Sequence, residues 1–208
     1  MDAGRERPPF IGLTGAIASG KSTALAELNK LGAATLSTDQ VVHDLYEDPL
    51  VVDQVAERLG ADVLAPDGSV DREAVAAAVF AEPEARSWLE QMIWPLVGKK
   101  IFEFKTAGEA MDPPPRAIVV EVPLLFESGM DQAFDQTVAI VLADETRKQR
   151  AVDRGTGISE LDARDERQMS STEKSERADY EIVNDGTLDE LRAQLGLMLD
   201  VFAVVGGG

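Results

Sequence analysis

Residues 15–23 read Gly15-Ala16-Ile17-Ala18-Ser19-Gly20-Lys21-Ser22-Thr23, a full match to the phosphate-loop pattern G-x-x-x-x-G-K-[ST]. The flanks agree with the letters. Phe10-Ile11-Gly12-Leu13-Thr14 before it is a short apolar run suited to a buried parallel strand. After it, Lys21 to Leu31 sets Leu25, Leu28 and Leu31 at helical spacing. Strand, glycine loop and helix together turn successive backbone N–H groups toward one point at a helix N-terminus, where an anion is bound. Gly15 and Gly20 allow torsions that a Cβ opposes. Lys21 can reach terminal phosphates and the Ser22 hydroxyl can ligate Mg²⁺. A chance glycine-rich loop would not bring both flanks with it. The chain is expected to bind a nucleoside triphosphate.

At 208 residues the chain suits one domain, or one core with insertions. No apolar run approaches the length of a membrane span, and Met1 to Pro9 is polar without the apolar centre of a signal peptide, so it reads as a loose extension. The absence of cysteine excludes disulfides and thiolate metal sites. A cytoplasmic protein is expected. A net charge of −18 argues against nucleic acid as a partner. Phosphorylated small molecules remain open if cations gather locally, and Arg147, Lys148, Arg150, Arg154, Arg164 and Arg167 do so. The same run also reads as a solvated helix face balanced by Asp144, Glu145, Asp153 and Glu160.

Short apolar runs alternate with helical stretches, which predicts a parallel sheet with helices on both sides. Five strands are expected: Phe10–Thr14, Ala33–Ser37 after the Gly32 helix stop, Ala117–Val122, Thr137–Leu142 and Tyr180–Val183. Asp39 opens a helix over Val41–Tyr46 that Pro49 should end. Residues 50–108 read as almost wholly helical, broken by a Pro66-Asp67-Gly68 turn, with Pro83 and Pro95 marking further starts or bends. Asp144–Arg154 is expected as a helix, Gly155-Thr156-Gly157 as a break, and Ser159 as the cap of another helix with Asp162 at its third position. A terminal amphipathic helix runs from about Thr187 to Phe202, and Gly206–Gly208 should be disordered.

Asp39 stands at the carboxyl end of the second strand, the side where open α/β sheets bind ligands. It can accept a proton from an acceptor hydroxyl, help hold Mg²⁺, or simply cap its helix. His43 shares its helix face and reads equally as a packing residue. Glu121 and Glu127 flank Val122-Pro123-Leu124-Leu125-Phe126 after the strongest strand, and either can meet the acceptor or metal-bound water. Arg150 and Arg154 share a face and can stabilise charge on a transferred phosphoryl group. Trp88 and Trp94 read as packing residues, or as ring contacts for an acceptor. Rival readings are another small-molecule kinase, or a nucleotide-dependent switch, although no Asn-Lys-x-Asp base-specifying motif is present.

Together these stretches resemble the dephospho-coenzyme A kinases over about Ile11 to Leu199. The resemblance rests on Ile11 to Thr23, on Thr38-Asp39 with His43 behind, and on Ala65-Pro66-Asp67-Gly68 followed by Arg72. It continues through Pro95-Leu96-Val97, Val122-Pro123-Leu124-Leu125-Phe126-Glu127, Gln149-Arg150 with Arg154, Arg167-Gln168, Ala178-Asp179 and Asn184-Asp185-Gly186. It implies a P-loop NTPase fold, three-layer α/β/α, with a parallel five-stranded sheet. The expected parts are a nucleotide core (10–38, 110–145 and 179–205), a helical acceptor domain (39–109) and a helical lid (146–178). It implies ATP and Mg²⁺ as cofactors, dephospho-CoA as acceptor, and neither nucleic acid nor membrane as a partner; a monomer is favoured. Ala18, Ser19, Gly20, Lys21, Ser22 and Thr23 would hold the phosphates, with Ser22 on the metal. Asp39 would be the base, Lys21 and Arg150 would stabilise charge, and Arg150 would cover the triphosphate from the lid. His43, Leu124 and Glu127 would line the acceptor side, with Asn184 and Gly186 near the adenine.

The chain departs from the family pattern in three places. Ser37-Thr38-Asp39 stands where Asp-Ala-Asp is frequent, Trp94 where a histidine often precedes the proline, and Glu121 where an aspartate is frequent. None touches the loop, Asp39 or Arg150, so activity is expected to survive.

Overall fold

The computed structural model describes residues 7–153 and 168–205. They form two compact units, one comprising residues up to Ser37 together with those from Phe104 onward, the other Thr38–Glu103.

The first unit is built on five parallel strands: β1 (Phe10–Gly15), β2 (Ala34–Ser37), β3 (Ile118–Glu121), β4 (Gln136–Val141) and β5 (Tyr180–Val183). Their order is β2-β3-β1-β4-β5. The loop-bearing strand is therefore central, with Leu13 beside Glu121 of β3 and Gly15 beside Ile140 of β4. β1 and β3 are buried throughout, which explains their continuous apolar sequence.

Alternation along the strands sends side chains to two faces. Ile11, Leu13, Val119, Val138, Ile140 and Ile182 share one core with Ala24 and Leu28 of α1 (Lys21–Lys30) and Leu191, Leu195 and Met198 of α8 (Leu188–Val205). On the other face Phe10 stacks on Phe134 at 4.5 Å, and Gly12 leaves room for Phe134 and Leu125. Lys105, near the end of the long helix α5 (Pro83–Glu109), lies over the Phe10 ring, and α7 (Ser171–Arg177) packs on β4 and β1. Arg7 is tied down by Asp135 at 2.7 Å and Glu109 at 3.4 Å, so the expected loose extension is already anchored at that residue.

The second unit holds α2 (Thr38–Leu45), α3 (Pro49–Leu59), α4 (Arg72–Ala81) and most of α5. Pro49 does not merely end a helix. It occupies the first turn of α3, where its missing N–H costs nothing, and Asp48 caps that turn through Leu50 N at 2.9 Å. The Pro66–Gly68 turn is real: Ala65 N donates to Ser69 O at 2.8 Å, Leu64 and Val70 bridge, and Gly68 takes φ of +85°. Pro83 opens α5, while Pro95 lies inside it. No described helix is long and apolar enough to cross a membrane. The expected break at 155–157, the helix capped by Ser159 with Asp162, and the glycine tail all lie outside the described residues.

Glu27 is 2% exposed and joins α1 to α8, meeting Lys30 at 2.7 Å and Arg192 at 2.8 Å. Lys30 first, then Arg192, holds its carboxyl below the ordinary 4.5. A lowered folded-state pKa adds stability that is complete above 4.5 and fades as pH falls through the folded value. Glu27→Gln should therefore be less stable than wild type at neutral pH, and should lose less stability between about pH 5 and pH 3. Urea midpoints across that range check this; parallel curves would remove Glu27 from the acid response.

Candidate active site

The phosphate loop is shaped by three unusual torsions: Gly15 at φ +154°, Ala18 at +62° and Gly20 at +94°. Ala18 is the non-glycine with positive φ among the described residues, an uncommon conformation that clusters at ligand sites. A Cβ on Gly15 would strike the Ile140 carbonyl and lie 2.7 Å from Ser19 Oγ, and one on Gly20 would strike the Asn184 amide nitrogen. Both glycines are therefore required by close approach as well as by torsion. Lys21 Nζ donates to the Gly15 and Ala16 carbonyls, each at 3.0 Å, which keeps its charge at the loop. Ser22 and Thr23 are exposed at the first turn of α1, while Ser19 is buried beneath the loop.

Asn184 closes this structure from β5. It is 7% exposed, its backbone N–H donates to Val141 O at 2.7 Å, and its side-chain amide donates to Ser19 O at 2.8 Å. Asp185 accepts from Ala143 N at 2.8 Å. The geometry makes Asn184 a clamp on the phosphate loop, beside which its expected place near the adenine stands as a proposal. Gly186, expected there too, borders an open groove of about 490 Å³ lined by Val183, Asp185, Gly186, Glu190, Ala193 and Gln194. Glu190 Oε2 accepts from Thr187 N and Oγ1 at the head of α8, which holds its carboxyl below the usual range.

On the other side of β1, the segment after β3 is pinned in place. Val122 N donates to Leu13 O at 2.8 Å, Thr14 Oγ1 donates to Pro123 O at 3.2 Å, and Ser128 Oγ donates to Leu124 O at 2.7 Å. Leu124 is half-buried. Glu121 is buried at the end of β3, in register with Ser37 of β2. Glu127 Oε1 accepts from Met169 N at 2.8 Å and pairs with Lys174 Nζ at 3.0 Å. Lys174 escaped the sequence reading because a lysine in a charged stretch reads as surface. The available signal was Ser170-Ser171-Thr172-Glu173, a capping box that is realised and starts α7.

Arg147 of α6 (Asp144–Asp153) is buried beside Asp144 at 3.2 Å, so this member of the basic run is not a solvated charge. Arg150 lies half-buried in the last turn of α6. Arg154, Arg164 and Arg167 lie outside the described residues. In the second unit Asp39 is exposed in the first turn of α2, where the helix N-terminus favours a carboxylate. His43, one turn on, has Nδ1 3.5 Å from Arg72 Nη1. Burial raises the Tyr46 hydroxyl pKa, against an opposing pull from Arg72. Trp88 lines a groove with Gln54, Glu57 and Arg58, and Trp94 is 46% exposed and not a core residue.

The sequence profile of the dephospho-CoA kinases matches residues 9–190. A dephospho-CoA kinase of Symbiobacterium thermophilum is 42% identical over 89% of this chain and 78% of its own length. One from Chlorobaculum tepidum is 38% identical, covering 90% and 92%. Among solved structures, dephospho-CoA kinase from Campylobacter jejuni superposes with TM-score 0.69 at 26% identity, covering 94% of this chain and 97% of its own. Shikimate kinase from Acinetobacter baumannii superposes at 0.54 with 15% identity over 96% of both chains, a likeness of fold alone.

Gly20→Ala should weaken ATP binding by about tenfold or more, the scale of 1–3 kcal/mol for a strained torsion, while circular dichroism stays native. Unchanged affinity by calorimetry would show that neither the torsion nor the Asn184 approach matters to the cradle.

Proposed function

The chain belongs to the dephospho-CoA kinase family, and on that premise we propose that it transfers the γ-phosphoryl group of ATP to the ribose 3′-hydroxyl of dephospho-CoA. The products are CoA and ADP, and the reaction is the last step of CoA biosynthesis. The observation that carries this reading is the strand–loop–helix cradle of residues 10–30 with Lys21 fixed at its rim. The core comprises 10–38, 110–145 and 179–205, residues 39–109 receive the acceptor, and 146–178 serve as a lid. The protein acts as a cytoplasmic monomer on two small molecules, with neither nucleic acid nor membrane as partner.

Residues 18–23 hold the triphosphate through backbone N–H groups and hydroxyls, and Lys21 and Arg150 offset charge on the phosphoryl group in transit. The purine lies toward Asn184 and Gly186, over the groove edged by Val183 and Ala193. The acceptor oxygen forms its bond to the γ-phosphorus as the bond to the ADP oxygen breaks, and Asp39 takes the hydroxyl proton. Leu124 walls the acceptor site, Glu127 offers it a carboxylate, and His43 supports the Asp39 face of α2.

Mg²⁺ fits the donors present. Among the described residues no three His, Asp or Glu side chains gather as a metal cage, and the exposed Ser22 hydroxyl suits an ion held chiefly by substrate phosphates and water. When bound, Mg²⁺ neutralises charge on the phosphate oxygens.

ADP release with dephospho-CoA, adenosine monophosphate or gluconate as acceptor tests the assignment. Stimulation by dephospho-CoA alone is expected; stimulation by another acceptor would move the chain's activity to a different kinase. Asp39→Ala should lower turnover by about two orders of magnitude, and near-normal turnover would remove Asp39 from the mechanism. Lys21→Ala should impair ATP use, and normal ATP kinetics would refute the role of the lysine.

A further inference from the structure

Lys174 is an unusual lysine. It is 0% exposed, on a helix packed against the central strand β1 and its neighbour β4. Lysine is almost never fully buried without a partner, and the loss of water lowers its pKa even with Glu127 pulling the other way. Its ammonium donates to the Pro123 carbonyl at 2.6 Å and meets Glu127 Oε1 at 3.0 Å. The Pro123 carbonyl also accepts from Thr14 of β1. One cation thus binds both ends of the Pro123–Glu127 segment and holds it between the loop-bearing strand and α7.

Glu127 is held unevenly. Oε1 takes the Met169 N–H as well as Lys174, whereas Oε2 is buried with no hydrogen-bond partner among the described residues. An unpaired buried acceptor is costly, more so if charged, so the carboxylate would not keep this orientation unaided. The Lys174 contact on Oε1 offsets that cost and fixes the plane of the group.

We propose that Lys174 is a positioning residue for the acceptor side: by holding the Pro123 carbonyl and the Glu127 carboxylate together it sets the Pro123–Glu127 segment, and with it the place of Leu124 and Glu127 against the acceptor. This rests on the reading that Leu124 and Glu127 border the dephospho-CoA site. The nucleotide side has its own clamp in Asn184, so the two substrates are held by separate buried contacts on either side of β1.

Steady-state kinetics of Lys174→Met, Glu127→Gln and Asn184→Ala separate the two sides. Lys174→Met keeps the length and suits a buried site. It should raise KM for dephospho-CoA about tenfold, the scale of one charge-assisted hydrogen bond, with KM for ATP within about twofold. Glu127→Gln should shift in the same direction. The double variant should be no worse than Lys174→Met alone, because a neutral amide needs no counter-ion. Asn184→Ala should give the reverse pattern, raising KM for ATP. Equal rises in both KM values for Lys174→Met, or none in either, would overturn the proposal. If Lys174→Met does not fold, Glu127→Gln decides it by the same split. A wild-type enzyme that does not use dephospho-CoA would instead refute the proposed acceptor, a result legible before any variant is made.

Discussion

The rest of the structure depends on a backbone that could not be held with side chains in the way. Gly15 and Gly20 bend the loop between β1 and α1 so tightly that a Cβ at either would enter a neighbouring group. That close approach aims the first N–H groups of α1 at a single point. The sheet then fits around it. With β1 between β3 and β4, the carboxyl ends that supply Glu121, Pro123, Ala143 and Asn184 all lie beside the loop or one strand from it. Parallel order is what permits this, since each strand ends at the same edge.

The electrostatics divide along similar lines. A chain of net charge −18 repels polyanions at long range, yet ATP and dephospho-CoA are themselves anionic. Local cations meet that problem only if they are fixed. Lys21 is anchored on the loop carbonyls, whereas Arg147 beside Asp144 and Lys174 beside Glu127 are each paired with a carboxylate of the chain itself. Fixed charges reorganise little as a phosphoryl group moves, which is where electrostatic stabilisation gains its effect. The acidic surface is compatible with this because exposed charges are screened over about 8 Å at physiological salt.

Features with local causes were legible in the sequence. The phosphate loop, all five strands and the Pro66–Gly68 turn carry their signals within a few residues, and the structure contains each of them. Pro49 was half legible: a proline both stops one helix and starts the next, and only the Asp48 cap shows which role governs. The buried contacts of Lys174, Arg147 and Asn184 were not legible in the sequence. Their burial arises from partners between 3 and 165 positions away, such as Asp144 for Arg147, Pro123 for Lys174 and Ser19 for Asn184. A charged or amide side chain reads as surface or ligand contact until the packing around it is known. Asp39 and His43 were placed on α2 by spacing, and the helix is there.

The central claim is that the loop at the carboxyl edge of β1 delivers a phosphoryl group from ATP to a ribose hydroxyl of dephospho-CoA. The most direct measurement follows γ-labelled ATP incubated with the purified protein, Mg²⁺ and dephospho-CoA. Label is expected in CoA at the 3′ position of the ribose, in equal amount to the ADP released. Label found only in inorganic phosphate, or in CoA at another position, would contradict it.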